Sequence, residues 1–170
     1  SQYLASVRQQ LPQLPSENIL VEPILRNTAP SVAWACHHVA KHDKDAVLIV
    51  VPSDQLILND DAFSKNVKTA MGFAASHDTF MSIGVKPTRP EPGYGYIQTD
   101  KAVKANIFDV RSFTEKPNRE FAKMFMDSGE FLWNTGIFVS NAKTIKKMFS
   151  KFLPTVLTAF DKQHTYAQFR

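Results

Sequence analysis

An α/β fold with a mostly parallel central sheet is what this 170-residue sequence predicts, and three observations carry the prediction. Ala46 to Val51 is a run of six apolar residues between the charged stretch Lys41 to Asp45 and Pro52, the pattern of a strand covered on both faces, as in parallel sheets. Strand-like and helix-like segments alternate through the first half of the chain, an order that folds as right-handed βαβ units. The composition, 44% hydrophobic and 21% charged, is ordinary for a globular protein. A chain of this length buries roughly 70% of its unfolded surface around one core, so residues 1–170 are expected to form one domain or most of one.

Taken in order, Asn18 to Glu22 reads as a strand. Pro30 to Lys41 reads as a helix, with Val32, Ala35, Cys36 and Val39 on one face. After the Ala46 strand, Asp60 to Ala75 carries Phe63, Val67, Ala70, Met71 and Ala74 at helical spacing, and Asp60 and Asp61 suit the positive amino end of its dipole. Thr79 to Gly84 is a short apolar strand. Lys86 to Gly93 holds three prolines in eight residues and is a loop leading into an excursion. Tyr94 to Gln98 and Ile107 to Glu115 read as strands, the second setting Phe108, Val110 and Phe113 against polar neighbours. Asn118 to Ser128 reads as a helix with Phe121, Met124 and Phe125 on one face, Phe131 to Ser140 as a strand, and Ala142 to Phe160 as two helical pieces broken at Pro154.

The charge balance excludes some classes of function. A net charge of +4 is spread along the chain without the blocks of Lys or Arg that mark nucleic-acid tails. A small anionic substrate suits it and no nucleic-acid partner is expected. The one cysteine, Cys36, allows no internal disulfide, which points to a reducing compartment, with the cytoplasm as the expected location. Neither a Cys/His metal cluster nor a run of eighteen apolar residues is present, so no membrane partner is expected.

The most informative side chain is Asp54. It follows Pro52 and Ser53, where an apolar strand meets solvent, and open parallel sheets bind ligands beyond the carboxyl ends of their strands. The competing reading is that Asp54 caps the turn into the next helix. Five ordered segments then line up: Glu22 to Pro30, Pro52 to Asp54, Gly93 to Ile97, Phe113 to Pro117 and Trp133 to Phe138. Together they resemble mannose-1-phosphate guanylyltransferase, with the Arg26-Asn27-Thr28-Ala29-Pro30 run the most diagnostic part.

That resemblance implies a three-layer Rossmann-like nucleotide-diphospho-sugar transferase fold, with transfer of GMP from GTP to mannose 1-phosphate to give GDP-mannose and pyrophosphate. Asp54 would hold Mg²⁺, a hard cation bound by carboxylate and phosphate oxygens. Glu22, Arg26, Asn27 and Thr28 would meet the nucleotide base, although Asn27 or Thr28 capping a helix that has Pro30 in its first turn suits the same residues. Gly95 would let the backbone approach the sugar; a strand bulge is its plain alternative. Glu115 would accept hydrogen bonds from sugar hydroxyls and Lys116 would meet the sugar phosphate, unless the pair is a solvated turn. Asn134 and Thr135 would contribute placed polar groups beside Trp133, itself otherwise a core residue.

The sequence also departs from the family pattern. Ser1 to Ser16 contains no glycine, whereas the family opens with a Gly-rich loop that cradles the triphosphate. A second metal-binding Asp and a left-handed β-helical region lie further along in the family. Gln55 stands where many relatives have His, and Ser31 where many have Ala. The expectation is therefore a single partial domain, truncated at both ends, inactive alone and binding GDP-mannose weakly, with an unpaired sheet edge that invites homo-oligomers. Rival readings are a sugar-1-phosphate nucleotidyltransferase of other base or sugar specificity, and a non-catalytic sugar-nucleotide-binding module.

Overall fold

The computed structural model describes residues 3–22 and 27–156. Among them are five α-helices and five strands in the order α1 (Leu4–Gln10), α2 (Thr28–Ala40), β1 (Val47–Val50), α3 (Asp60–Ser76), β2 (Phe80–Val85), β3 (Tyr96–Lys104), β4 (Ile107–Thr114), α4 (Arg119–Ser128), β5 (Phe131–Asn141) and α5 (Ala142–Phe152). The α/β class stands, and the strands are ordered β1-β5-β3-β4, with β2 also paired to β5.

Within the sheet β3 pairs with β4 on one side and with β5 on the other, and both of these ladders are antiparallel, unlike the parallel pairing expected to dominate. The local cause is a hairpin: β3 turns into β4 over Ala105 and Asn106, and Asn106 takes φ 62°, the left-handed conformation that tight hairpin turns need and asparagine tolerates. Register then sets Ile97 opposite both Phe113 of β4 and Leu132 of β5.

Two further expectations shift. Asn18 to Glu22 is not a strand: Ser16–Asn18 is a single 3-10 turn, with Asn18 N–H donating to the Pro15 carbonyl at 3.0 Å, and the half-buried residues 19–22 join no ladder. The buried face of α4 runs through Ala122 and Phe125 rather than Phe121, Met124 and Phe125; Ala122 is fully buried while Phe121 and Met124 are exposed. Helix α1, with no buried residue, carries too weak an apolar stripe to read from the sequence. The second helical piece expected after Pro154 lies largely outside the described residues.

The chain divides into two compact units. In the first (residues 1–48, 71–80 and 140–170), α2 packs on α5 through Cys36, Ala142 and Ile145, with Leu48 and Phe149 against them. Burying Ile145 alone contributes about 1.5–3 kcal/mol. Asn141 joins strand to helix here. Its Oδ1 accepts from Thr144 N–H at 2.7 Å, capping α5, while its Nδ2 donates to the Ala74 carbonyl at 2.9 Å. In the second unit (49–70 and 81–139), α4 covers the sheet through Ala122, Tyr96 and Trp133, with Phe125 stacked on Phe131 at 4.1 Å. Asn118 caps α4 by accepting from Phe121 N–H at 2.9 Å.

Candidate functional site

β1 ends at Val50 and the chain turns at Pro52, which leaves Asp54 exposed beyond the strand's carboxyl end. The capping alternative falls to another residue: Asn59 Oδ1 accepts from Ala62 N–H at 2.9 Å and so caps α3. Pro52 is held from the side by Gly136, whose φ is 71° and where an added Cβ would stand 3.3 Å from Pro52 Cγ. Next to Asp54, the Gln55 amide donates to the Thr135 carbonyl, tying the turn to β5. Gln55, noted in the sequence only as a departure from the family pattern, thus ties down the turn that carries Asp54.

Asp54, Gln55, Tyr94, Trp133, Asn134 and Thr135 line one groove of about 570 Å³, the size range of small-molecule sites. Asn134 Oδ1 accepts from Gly136 N–H at 3.0 Å and from the Ser82 hydroxyl at 3.3 Å, and Asn134 N–H donates to the Gly95 carbonyl at 2.8 Å. The Thr135 hydroxyl donates to the Ile83 carbonyl at 2.6 Å and accepts from Ile137 N–H at 3.2 Å. Its proton is therefore committed to the sheet, and Thr135 is a joint between strands before it is a ligand contact.

Gly95 sits where side chains converge. A Cβ there would come within 2.9 Å of a Glu115 carboxylate oxygen and 3.4 Å of Asn134 Cβ. Glu115 and Lys116 form an exposed pair at 3.6 Å, a geometry that adds little stability in solvent. Lys116 nonetheless adopts φ 45° immediately before the buried Pro117, a backbone conformation that costs energy in a residue with a Cβ and that gathers at functional loops. The structure thus brings Asp54, Asn134 and Thr135 to one groove and sets Gly95 and Glu115 against Asn134, with Lys116 next in the chain.

The nucleotide-side residues belong to the other unit. Glu22 is half-buried; Thr28 is the first residue of α2. Asn27 occupies the N-cap position with φ 66° and ψ −175°, yet its side chain makes no capping hydrogen bond; instead the Ser31 hydroxyl donates to the Asn27 carbonyl at 2.9 Å. The capping alternative is thus not realised by the Asn27 side chain. Arg26 lies outside the described residues.

Sequence reasoning missed the aromatic wall of the groove. Tyr94 meets Trp133 edge-on, with ring centroids 5.2 Å apart, and Arg89 lies over both rings at 5.8 Å and 5.3 Å. The Trp133 indole N–H is buried without a partner among the described residues. The signal available was the proline spacing of the 86–93 loop, which stiffens the segment carrying Arg89.

Among the described residues no group of three or more His, Cys, Asp or Glu could hold a metal. Asp54 alone fits a cation such as Mg²⁺ that keeps several waters and completes its shell with substrate phosphates, not one that needs a protein cage. No helix among the described residues is long and apolar enough to cross a membrane.

An α/β protein with a carboxylate beyond a strand end, beside a groove lined by an amide and aromatic rings, belongs by architecture with small-ligand-binding α/β domains. The chain belongs to the nucleotidyl transferase family, whose pattern matches residues 1–168. It is 38% identical over 158 residues to a mannose-1-phosphate guanylyltransferase of Escherichia coli, an overlap of 90% of this chain and 33% of that enzyme. The chain therefore spans about a third of the length of that curated relative. Its fold is similar to that of a Thermus thermophilus protein described as a mannose-1-phosphate geranyltransferase (TM-score 0.80, 25% identity, 94% of this chain and 52% of that one). It is also similar to a mannose-6-phosphate isomerase of Helicobacter pylori (TM-score 0.78, 29% identity, 93% and 59%).

Proposed function

We propose that this chain supplies the central part of a sugar nucleotidyltransferase that transfers GMP from GTP to mannose 1-phosphate, giving GDP-mannose and pyrophosphate. The observation that carries the reading is that Asp54 and Asn134 line one groove while Gly95 and Glu115 lie against Asn134, beside the family membership. The three-layer nucleotide-diphospho-sugar transferase architecture and a cytoplasmic location belong to the same proposal.

In this reading Glu115 accepts hydrogen bonds from sugar hydroxyls, the Asn134 amide donates to a sugar oxygen, and the Gly95 backbone admits the ring closely because no Cβ intervenes. Lys116 meets the sugar phosphate, while Glu22, Arg26, Asn27 and Thr28 recognise the base. A phosphate oxygen of mannose 1-phosphate attacks the α-phosphorus of GTP in line; the new P–O bond forms as the bond to pyrophosphate breaks, and the leaving group takes the electron pair. The attacking oxygen is already ionised, so positioning and charge neutralisation do the work and no general base is required. Asp54 would hold Mg²⁺, which when bound screens the charge of the reacting phosphates.

The test is pyrophosphate release by the complete gene product with GTP, mannose 1-phosphate and Mg²⁺. GTP should outperform ATP, UTP and dTTP. Preference for another nucleotide overturns the base assignment, and binding of GDP-mannose without turnover favours a non-catalytic module.

A further inference from the structure

The proline-rich segment before β3 is a built arm whose centre is Glu91. The Tyr96 hydroxyl, fully buried at the start of β3, donates to the Glu91 carbonyl and accepts from Glu91 N–H, both at 3.1 Å. The Glu91 carboxylate then works on both sides: Oε1 accepts from Gly93 N–H at 3.0 Å, and Oε2 accepts from Arg89 Nε at 3.2 Å. The Gly93 amide and then the Arg89 guanidinium lower the Glu91 carboxyl below its usual range, and Glu91 in turn raises Arg89. Pro87, Pro90 and Pro92 remove backbone freedom that these bonds would otherwise have to restrain. The result is an exposed arginine whose guanidinium is nonetheless fixed over the Tyr94 and Trp133 rings that wall the groove.

We propose that Arg89 is a positioning residue for the sugar side of the groove: anchored by Glu91, it clamps Tyr94 against Trp133, so that the aromatic wall is set before a ligand arrives. The proposal rests on reading the groove as a sugar-nucleotide site. It assigns Arg89 no contact with the reacting atoms. Its effect passes through Tyr94, which is 44% exposed and whose ring stands nearly perpendicular to that of Trp133. A wall fixed in advance loses less freedom on binding, and a planar guanidinium with a side-chain anchor supplies that constraint better than a flexible ammonium.

The experiment uses the full chain and three variants, Arg89→Met, Arg89→Lys and Glu91→Gln, each with and without Trp34→Phe. The chain has two tryptophans, so Trp34→Phe leaves Trp133 as the single indole reporter. The readouts are acrylamide quenching of Trp133 and calorimetric titration with GDP-mannose, the latter also in the Trp34 background. Arg89→Met should increase quenching and weaken GDP-mannose about fivefold, the scale of one partly exposed cation–π clamp, with the unfolding midpoint unchanged. Arg89→Lys should fall between Met and the parent, and Glu91→Gln should follow Arg89→Lys. Unchanged quenching and affinity in Arg89→Met overturn the clamp. Increased quenching with unchanged affinity also overturns it as a binding device, leaving Arg89 a loop staple. A chain that fails to bind GDP-mannose with Arg89 intact overturns the sugar-nucleotide reading itself, an outcome visible before any variant is made.

Discussion

Adding one methyl group at Gly136 should destabilise the protein by about 1–2 kcal/mol, while the same addition at Gly72 should stabilise it. At Gly136 the backbone φ is 71°, and an L-residue in that region costs about 1–2 kcal/mol relative to glycine. The new Cβ would also stand 3.3 Å from Pro52 Cγ, inside the ~3.5–4.0 Å optimum for carbon contacts, and the half-buried pyrrolidine ring cannot rotate away. The reduced freedom of the unfolded chain offsets about 0.4–1 kcal/mol of this. For a chain of this size each kcal/mol moves the melting temperature by about 2–4 °C, so Gly136→Ala should lower it by about 2–8 °C. Gly72 is the internal control: it lies within α3, an added Cβ meets nothing within 4 Å, and Ala exceeds Gly in a helix interior by about 0.5–1 kcal/mol. Thermal unfolding followed by far-ultraviolet circular dichroism, with urea titration of the same samples, reads both variants. A Gly136→Ala protein as stable as the parent, or two variants shifting in the same direction, would refute the reasoning about Pro52 and the turn that carries Asp54.

Asp54→Asn in the complete gene product should leave the fold intact and lower turnover by roughly 10²-fold or more, the scale of losing one electrostatic stabiliser; near-normal turnover with unchanged Mg²⁺ dependence returns Asp54 to an ordinary turn residue. Gly95→Ala should barely move the melting temperature, because the contact at 2.9 Å is with the swinging end of Glu115, yet it should weaken GDP-mannose in calorimetry; equal affinity would separate Gly95 from the sugar. Burial lifts the Cys36 thiol from 9.0 to about 11, with the nearby Lys146 pulling the other way. A raised folded value means stability is whole below the unfolded value and declines as pH climbs through 9 to 11, so the parent should lose more stability across that window than Cys36→Ala. Parallel profiles for the two proteins would remove the thiol as the cause.

Much of this was legible because it depends on local chemistry. The apolar run ending at Pro52 placed Asp54 beyond a strand end, and Asp60, Asp61 and the three-and-four spacing of α3 marked that helix nearly to the residue. What escaped depends on partners distant in the chain. Asn18 to Glu22 has the composition of a strand but joins no ladder, and composition cannot supply a neighbour. On α4 the large side chains Phe121 and Met124 drew the apolar stripe one position away from Ala122, because a small residue allows the helix to approach Tyr96 and Trp133 closely. The hairpin turn at Ala105 and Asn106 lacks the glycine that marks such turns most strongly, so the antiparallel pairing was hidden. The Glu91 knot was invisible for a different reason: its organiser, Tyr96, lies on a strand and looks like core.

The orientation of one amide gives the groove a direction. Gly136 N–H can only donate, so the Asn134 atom it meets must be the oxygen, and the Ser82 hydroxyl adds a second donor to the same atom. Among the described residues the two Nδ2 protons remain what Asn134 can offer, while an ionised Asp54 offers only lone pairs. Under the proposed function the cleft would act as a socket with unlike ends, with hydroxyl, ring and phosphoryl oxygens received at the Asn134 end. In that reading an anion would reach the Asp54 end in company with a cation, and Asn134→Asp would remove the amide's donors from the groove while leaving those of Tyr94 and Trp133.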